Sequence, residues 1–221
     1  MALPLAIVMK HTMIVFAALI AAVPALPAAA QVGAASTASP GDLAARPFIE
    51  ALVGDGFAVL RDKSLTRPAA RAKFRSMLTK NVALDDIGMR MIRRQRAALT
   101  PLQLEAYRAA FPEFVLNAYA DRLYDYADAK VMVQRTVGRG PFTEVYTRVA
   151  RPGSQPIDTI WQVKSAGGKM QVNNLVVAGV NLSLTQEADF ASYAAKNGFD
   201  ALVTFMKSAN AKSLAVQSGA K

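Results

Sequence analysis

The chain has 221 residues, 52% of them hydrophobic and 19% charged, enough for one domain with a real core and too apolar for a disordered chain. Its 26 Lys and Arg outnumber 16 Asp and Glu, for a net charge of +10. Without cysteine and with one histidine, His11, it has no disulfide framework, no thiol chemistry and no Cys-based metal site.

Lys10 and His11 precede an apolar run from Met13 to Leu26, broken by Pro24 and Pro27. Ala28-Ala29-Ala30 then offers a small-residue exit before Gln31. That order predicts a secretory signal peptide over residues 1–30 and a periplasmic mature protein. The run is too short to span a bilayer, and no later segment has the length. Cleavage would remove Lys10 and His11, leaving 25 basic residues and no histidine. Ser-His-Asp triads, histidine bases and the usual zinc ligand sets are then excluded.

Residues 31–45, rich in Ala, Ser, Thr and Gly, read as a flexible leader. A single domain is expected over 46–208. Pro47 suits the first turn of a helix, and Phe48, Ile49, Leu52, Val53, Phe57 and Leu60 follow at helical spacing. Pro68 opens a second helix with Phe74, Met77 and Leu78. A third segment carries Ile87, Met91 and Ile92. Thr100-Pro101-Leu102-Gln103 combines a capping box with proline at the first helical position. The helix it opens bears Leu104, Tyr107, Phe111, Phe114 and Ala118, with Pro112 inside it.

After Asp128 the period falls to two. Strands are predicted near 129–137, 142–150, 156–164 and 169–178, separated by Gly138-Arg139-Gly140-Pro141, Arg151-Pro152-Gly153-Ser154 and Ala166-Gly167-Gly168. Short turns make them an antiparallel meander. Two helices, roughly 185–196 and 200–209, break at Asn197-Gly198, and residues 209–221 read as a disordered polar tail. The fold class is α+β: an N-terminal helical block packed on a curved four-stranded antiparallel sheet, with C-terminal helices.

Thr100-Pro101-x-Gln103, the phenylalanine-bearing helix after it, Val176-Val177-Ala178-Gly179-Val180-Asn181-Leu182, and Phe190, Gly198, Asp200 and Leu202 in the closing helices appear in an order that resembles the MlaC, or toluene-tolerance, family. The resemblance runs from Pro47 to Lys207. It implies a sheet similar to nuclear transport factor 2-like folds, acyl chains held between sheet and helices, and no cofactor. It also implies a monomer shuttling a phospholipid between an outer-membrane lipoprotein complex and an inner-membrane ABC transporter complex, so maintaining outer-membrane asymmetry. A hopanoid-linked branch of the family makes a related lipid an alternative cargo. The chain departs from the family pattern at Arg93, Arg96, Asn174, Ala178, Asn181 and Glu187.

A diacyl lipid exposes on the order of 30 methylenes at about 0.8 kcal/mol each, roughly 24 kcal/mol in water. A carrier must therefore enclose the tails. The candidate lining residues are Phe57, Leu60, Met77, Ile87, Met91, Phe111, Phe114, Val145, Trp161, Val163, Val172 and Val176; an ordinary core would use the same residue types. Ile157, Thr159, Trp161 and Val163 share one strand face, which is expected to look into the cavity beneath Phe111 and Phe114.

From Arg61 to Arg96 eleven basic residues face only Asp62, Asp85 and Asp86. A solvated face would look the same. The functional expectation is headgroup or partner contact through Arg90, Arg93, Arg94 and Arg96, with nucleic acid set aside for an exported protein. An isomerase-type site in such a sheet would have to use Tyr107, Tyr119, Tyr146 and Asp158, without a paired-carboxylate motif. A ligand-free adaptor is the third reading. The expected protein carries lipid and catalyses nothing.

Overall fold

The structure, a computed structural model, describes residues 40–123 and 126–217. The predicted signal peptide and most of the leader lie outside them. Helix α1, Pro40–Arg61, starts ahead of Pro47, so the leader expected to reach residue 45 is helical from residue 40. Pro47 stands in the second turn. It removes only the bond to the carbonyl of Leu43, and Leu43 is 69% exposed, so water can take that acceptor. Ala45, Ile49 and Leu52 recur on one side and are buried, which anchors the N-terminal half of the helix.

Helix α2, Arg67–Asn81, is capped by Thr66, whose hydroxyl accepts from the Ala69 N–H. Helix α3, Leu84–Met91, leads through a 3-10 turn, Arg96–Ala98, into α4, Pro101–Leu123. The expected capping box is present: the Gln103 N–H donates to the Thr100 hydroxyl at 3.2 Å, and the Thr100 N–H donates to Gln103 Oε1 at 3.1 Å. Gly88 sets the approach of α3 to α4. A Cβ there would stand 2.8 Å from the Phe111 ring, and its carbonyl accepts from the buried Tyr107 hydroxyl at 2.8 Å.

Five strands follow in chain order: β1 Lys130–Arg139, β2 Phe142–Ala150, β3 Ile157–Ala166, β4 Lys169–Val177 and β5 Val180–Asn181. All neighbours are antiparallel, as the meander predicts. The fifth strand is an addition. Its two residues are too short to leave a period, and they turn back on β4 through Ala178-Gly179. Bulges interrupt β1 at Gln134 and β4 at Asn173. Helix α5, Leu182–Asn197, is capped by Asn181, and α6 runs Phe199–Gln217. The tail predicted from residue 209 is therefore helical to Gln217. Ala, Lys, Leu and Gln continue the helix well, and Ser213 is tied to Arg71 of α2. No helix among the described residues is long and apolar enough to cross a membrane.

Two cores form instead of one. In the first, Ala45, Ile49 and Leu52 of α1 pack on Val145, Val163 and Val172 of the sheet, with Met77 and Trp161 at the margin. In the second, α3, α4, α5 and α6 bury Met91, Phe111, Phe190, Leu202 and Met206 among themselves. Between α2, α4 and α6 lies a polar seam. Buried Arg71 donates to Asn117 at 3.0 Å, Arg75 forks onto Glu113, and Asn117 donates to Asn210. The Arg75 hydrogen bonds hold the Glu113 carboxyl below its ordinary value.

Candidate functional site

An opening into apolar surface lies between the C-terminal half of α1 and strand β1. After Leu52 the helix stops burying its face: Val53, Phe57 and Leu60 are only half-buried. Val131 and Val133, two apart on β1, are half-buried opposite them. The groove between has a volume of about 560 Å³ and is lined by Glu50, Val53, Gly54, Phe57, Ala58 and Arg61 from α1, by Lys130, Val131 and Val133 from β1, and by Ala129 just before it. Gly54 leaves part of this space open, since a Cβ there would meet nothing within 4 Å.

Two arginines fix α1 to the strand on either side of the groove. Arg46 donates to the carbonyls of Val133 and Gln134, at 3.4 and 3.1 Å, where the β1 bulge lies. Arg61 donates to the carbonyls of Ala127 and Ala129, both at 2.7 Å, and its guanidinium lies 4.7 Å from the Phe57 ring centre. From Glu50 to Arg61 the helix rises about 16 Å. The result is an open apolar trough, clamped at both ends.

The twelve predicted lining residues do not meet in one cavity. Phe57 lines the groove, and Leu60 is half-buried one turn on. Met77, Val145, Trp161, Val163 and Val172 belong to the sheet core. Ile87, Met91, Phe111 and Phe114 belong to the helical core, where Phe111 stacks on Tyr107 with ring centres 5.3 Å apart and Phe114 packs against Phe190 and Phe205. Val176 pairs with Ile160 and by alternation takes the opposite sheet face from Trp161. The expectation that Trp161 looks beneath Phe111 and Phe114 is thus corrected: α1, not α4, covers its face. Its indole N–H donates to the buried Thr147 hydroxyl at 3.0 Å, and Thr147 is the cross-strand partner of Val133 in the groove wall. Sequence reasoning missed Val53, Gly54, Ala58, Val131 and Val133 as lining residues. A usable signal was present in Val53-Gly54-Asp55-Gly56-Phe57, two poor helix formers inside an apolar helical stripe.

The basic run also resolves differently from a free patch. Arg90 is half-buried and donates to Asn173 Oδ1 at 2.6 Å and to the Asn173 carbonyl, riveting α3 to the β4 bulge; desolvation pushes its guanidinium below its ordinary value. Arg93 and Arg94 lie on the surface and pair with the buried Glu187 carboxylate at 2.7 and 3.4 Å. Arg96 is exposed in the 3-10 turn. Arg61, Arg71 and Arg75 likewise hold elements together.

Several departures from the family pattern touch each other. Arg93 meets Glu187, and Asn174 donates to Asn181 at 3.1 Å. The second pair closes a hydrogen-bonded row across the outer sheet face, Arg139 and Tyr146 to Glu144, Gln162 to Glu144, and Asn174 to Gln162. Burial acts to raise Glu144, but the bonds from Tyr146, Gln162 and Arg139 outweigh it and leave the carboxyl lowered. The groups weighed for acid–base work are dispersed. Tyr107 is sealed in the helical core, where burial raises its phenol, and Tyr119 lies on α4. Tyr146 serves Glu144, and Asp158 is paired with Arg148 at 2.7 Å, which holds it below the usual carboxylate range.

A family model described as MlaC protein matches residues 50–208. Among solved structures, a phospholipid-binding protein from Ralstonia solanacearum, determined in complex with a phospholipid, superposes with a TM-score of 0.65. The two chains are 19% identical, and the match covers 77% of this chain and 98% of that one. The likeness extends over the α+β architecture described above.

Proposed function

The chain belongs to the MlaC family, and from that membership we propose that it is a periplasmic lipid carrier rather than an enzyme, with the groove between α1 and β1 as the entry for acyl chains. Its cargo is a phospholipid or a related lipid such as a hopanoid. It carries this lipid between an outer-membrane lipoprotein complex and an inner-membrane ABC transporter complex, which keeps the outer membrane asymmetric. The periplasmic location rests on the signal peptide read in residues 1–30. The phospholipid bound to the Ralstonia solanacearum protein of the same fold supports the cargo class.

The observation that carries the proposal is the open apolar trough itself. Over Val145 and Val163 the inner sheet face is closed by Ala45, Ile49 and Leu52 of α1, yet here half-buried Val53, Phe57, Val131 and Val133 surround about 560 Å³ of space. That volume lies within the roughly 300–1,000 Å³ of ligand pockets. One acyl chain of about 15 methylenes gains roughly 12 kcal/mol on leaving water. Releasing one arginine clamp costs about 1.5–3 kcal/mol per charged hydrogen bond. The lipid term is larger, so a chain can lift the Arg61 end of α1 and deepen the trough while the buried N-terminal half stays anchored.

Lipid extraction from freshly purified protein, followed by mass spectrometry, tests the class of function. Gly54→Leu tests the place. Leucine is a better helix former than glycine by somewhat less than the about 0.8–1 kcal/mol that separates glycine from alanine, so the variant should fold at least as well while its side chain fills the trough. Co-purified lipid should fall severalfold. Undiminished lipid in this variant would move the site elsewhere, and a protein that neither carries lipid nor extracts it from vesicles is not a carrier.

A further inference from the structure

Glu187 of α5 is the only buried acid among the described residues, and it meets two arginines on the turn that follows α3. Arg93 Nε donates to Glu187 Oε1 at 2.7 Å, and Arg94 Nε stands 3.4 Å from the same oxygen. One oxygen therefore holds both guanidiniums side by side through their inner nitrogens. The two arginine side chains are 59% and 66% exposed, and no other ion pair or side-chain hydrogen bond to a described residue engages them, so their terminal nitrogens are free. Glu187 keeps its negative charge, which leaves one net positive charge on the three groups. Half-buried Arg90, which lies close enough to feel both Glu187 and Arg93, adds a second. Asp86, the other acid near Arg90, is matched by Lys164 at 2.7 Å, and Asp189 leaves α5 about 200° around the helix from Glu187. The carboxylate does little for the core, because its Oε2 is buried without a partner among the described residues. Arg93 and Glu187 are also two of the positions at which the chain departs from the family pattern, so the pairing is a feature of this chain.

We propose that Arg93 and Arg94 bind a terminal phosphate group, with Glu187 as the positioning residue that sets their two forks. A guanidinium engaged at Nε still presents a pair of terminal N–H groups, the geometry that grips an oxyanion bidentately. Two neighbouring forks call for an anion that can meet both. A carboxylate has two oxygens and is filled by one fork. A phosphate monoester has three unesterified oxygens and a charge of about −1.5 to −2 near pH 7, so it can bridge the forks and match the charge. Inorganic phosphate, a soluble phosphate monoester and a lipid headgroup ending in phosphate share this chemistry. The site does not depend on the trough. Helix α5 begins against β4, where the Ser183 N–H donates to Asn174 Oδ1, and the trough lies along β1. The two strands are three steps apart in the sheet, about 14 Å.

The experiment titrates full-length protein with sodium phosphate at fixed ionic strength, read by calorimetry and by the NMR signals of the arginine Nε–H groups. Phosphate should bind and move the Nε–H signals of Arg93 and Arg94, and acetate at the same concentration should leave them in place. Arg93→Lys combined with Arg94→Lys keeps the charge and removes the forks. It should weaken phosphate about tenfold or more, the worth of one charge-assisted hydrogen bond. Glu187→Leu tests the positioning. It makes the protein more positive, so a site working by charge alone would bind phosphate more tightly, whereas forks released from Glu187 should bind it about tenfold less. This variant should melt no earlier than the wild type, because the unpartnered Oε2 leaves with the carboxylate and the arginines turn to water. Should it melt early, the double lysine variant, which alters only exposed side chains, decides alone. Phosphatidic acid vesicles, set against phosphatidylglycerol vesicles of equal surface charge, identify the source. Retention on the first alone assigns the site to a headgroup, and phosphate binding without retention assigns it to a soluble ligand; either outcome upholds it. Absence of phosphate binding, undiminished binding in the double lysine variant, tighter binding in a folded Glu187→Leu variant, or acetate binding as strong as phosphate would each overturn the site and leave the lipid carrier standing.

Discussion

Ala178 shows how much a single backbone angle can matter. It is the only non-glycine residue with positive φ among the described residues, at 48°, and it precedes Gly179 at 80° in the turn between β4 and β5. Positive φ at both central positions is the type I′ pattern, which favours Asn, Asp and Gly. An alanine in the left-handed region costs roughly 1–2 kcal/mol, part of which glycine returns as chain entropy. Its side chain is exposed, and its N–H bond to the Asp158 carbonyl, at 2.9 Å, does not depend on the side chain. Ala178→Gly should therefore raise stability by about 0.5–1 kcal/mol in urea unfolding, and Ala178→Val should lower it. A midpoint unmoved by either change would show that the turn relaxes at no cost. Phe111 makes a related point. Its spacing marks it as apolar and inward-facing, but only its contacts with Gly88, Tyr107 and Phe190 show that it is locked core rather than pocket wall.

Helices joined by charged groups make stability depend on acidity. Glu113 of α4 is held below its ordinary 4.5 first by its hydrogen bonds from Arg75 of α2. A carboxyl lowered on folding contributes stability that is fully present above its unfolded value and is lost as pH falls through the folded one. Thermal melts from pH 7 to pH 3 should show the loss beginning below about pH 4.5, and Arg75→Gln should flatten that limb; parallel acid limbs would mean the seam does not hold α2 to α4. Elements were legible in sequence where a period or a cap marks them. Strands β1 to β4 fall within about two residues of their expected ends, and the Thr100–Gln103 box opens α4 where expected. Boundaries failed where tertiary contact decides them: α1 extends back past Pro47 because Ala45 has a core to enter, and α6 extends past residue 209 because Ser213 meets Arg71. The trough was illegible for a related reason. It exists because α1 diverges from a strand some 80 residues away in the chain, and a half-buried valine has no sequence mark that separates it from a buried one.

With two cores joined by a polar seam, ligand and stability need not act on the same parts of the molecule. The helical core of α3 to α6 contributes nothing to the trough lining and can stay fixed while α1 shifts over the sheet. Trp161, the single tryptophan, lies in the core that should respond. Its N–H rests on Thr147, one cross-strand step from Val133, so stripping the lipid and admitting water should shift its emission to longer wavelength by a few nanometres; identical spectra of loaded and stripped protein would uncouple it from the trough. The same geometry has a colloidal consequence. Strand β1 is the open edge of a sheet, where unpaired backbone invites a strand from another molecule. Arg46 and Arg61 occupy carbonyls in and beside that edge, the Gln134 bulge spoils its regularity, and Lys130, Arg135 and Arg139 stud it with like charge. The clamps at the two ends of the trough are therefore also the molecule's guard against edge-to-edge association, and the lifting of α1 proposed for lipid entry would weaken that guard.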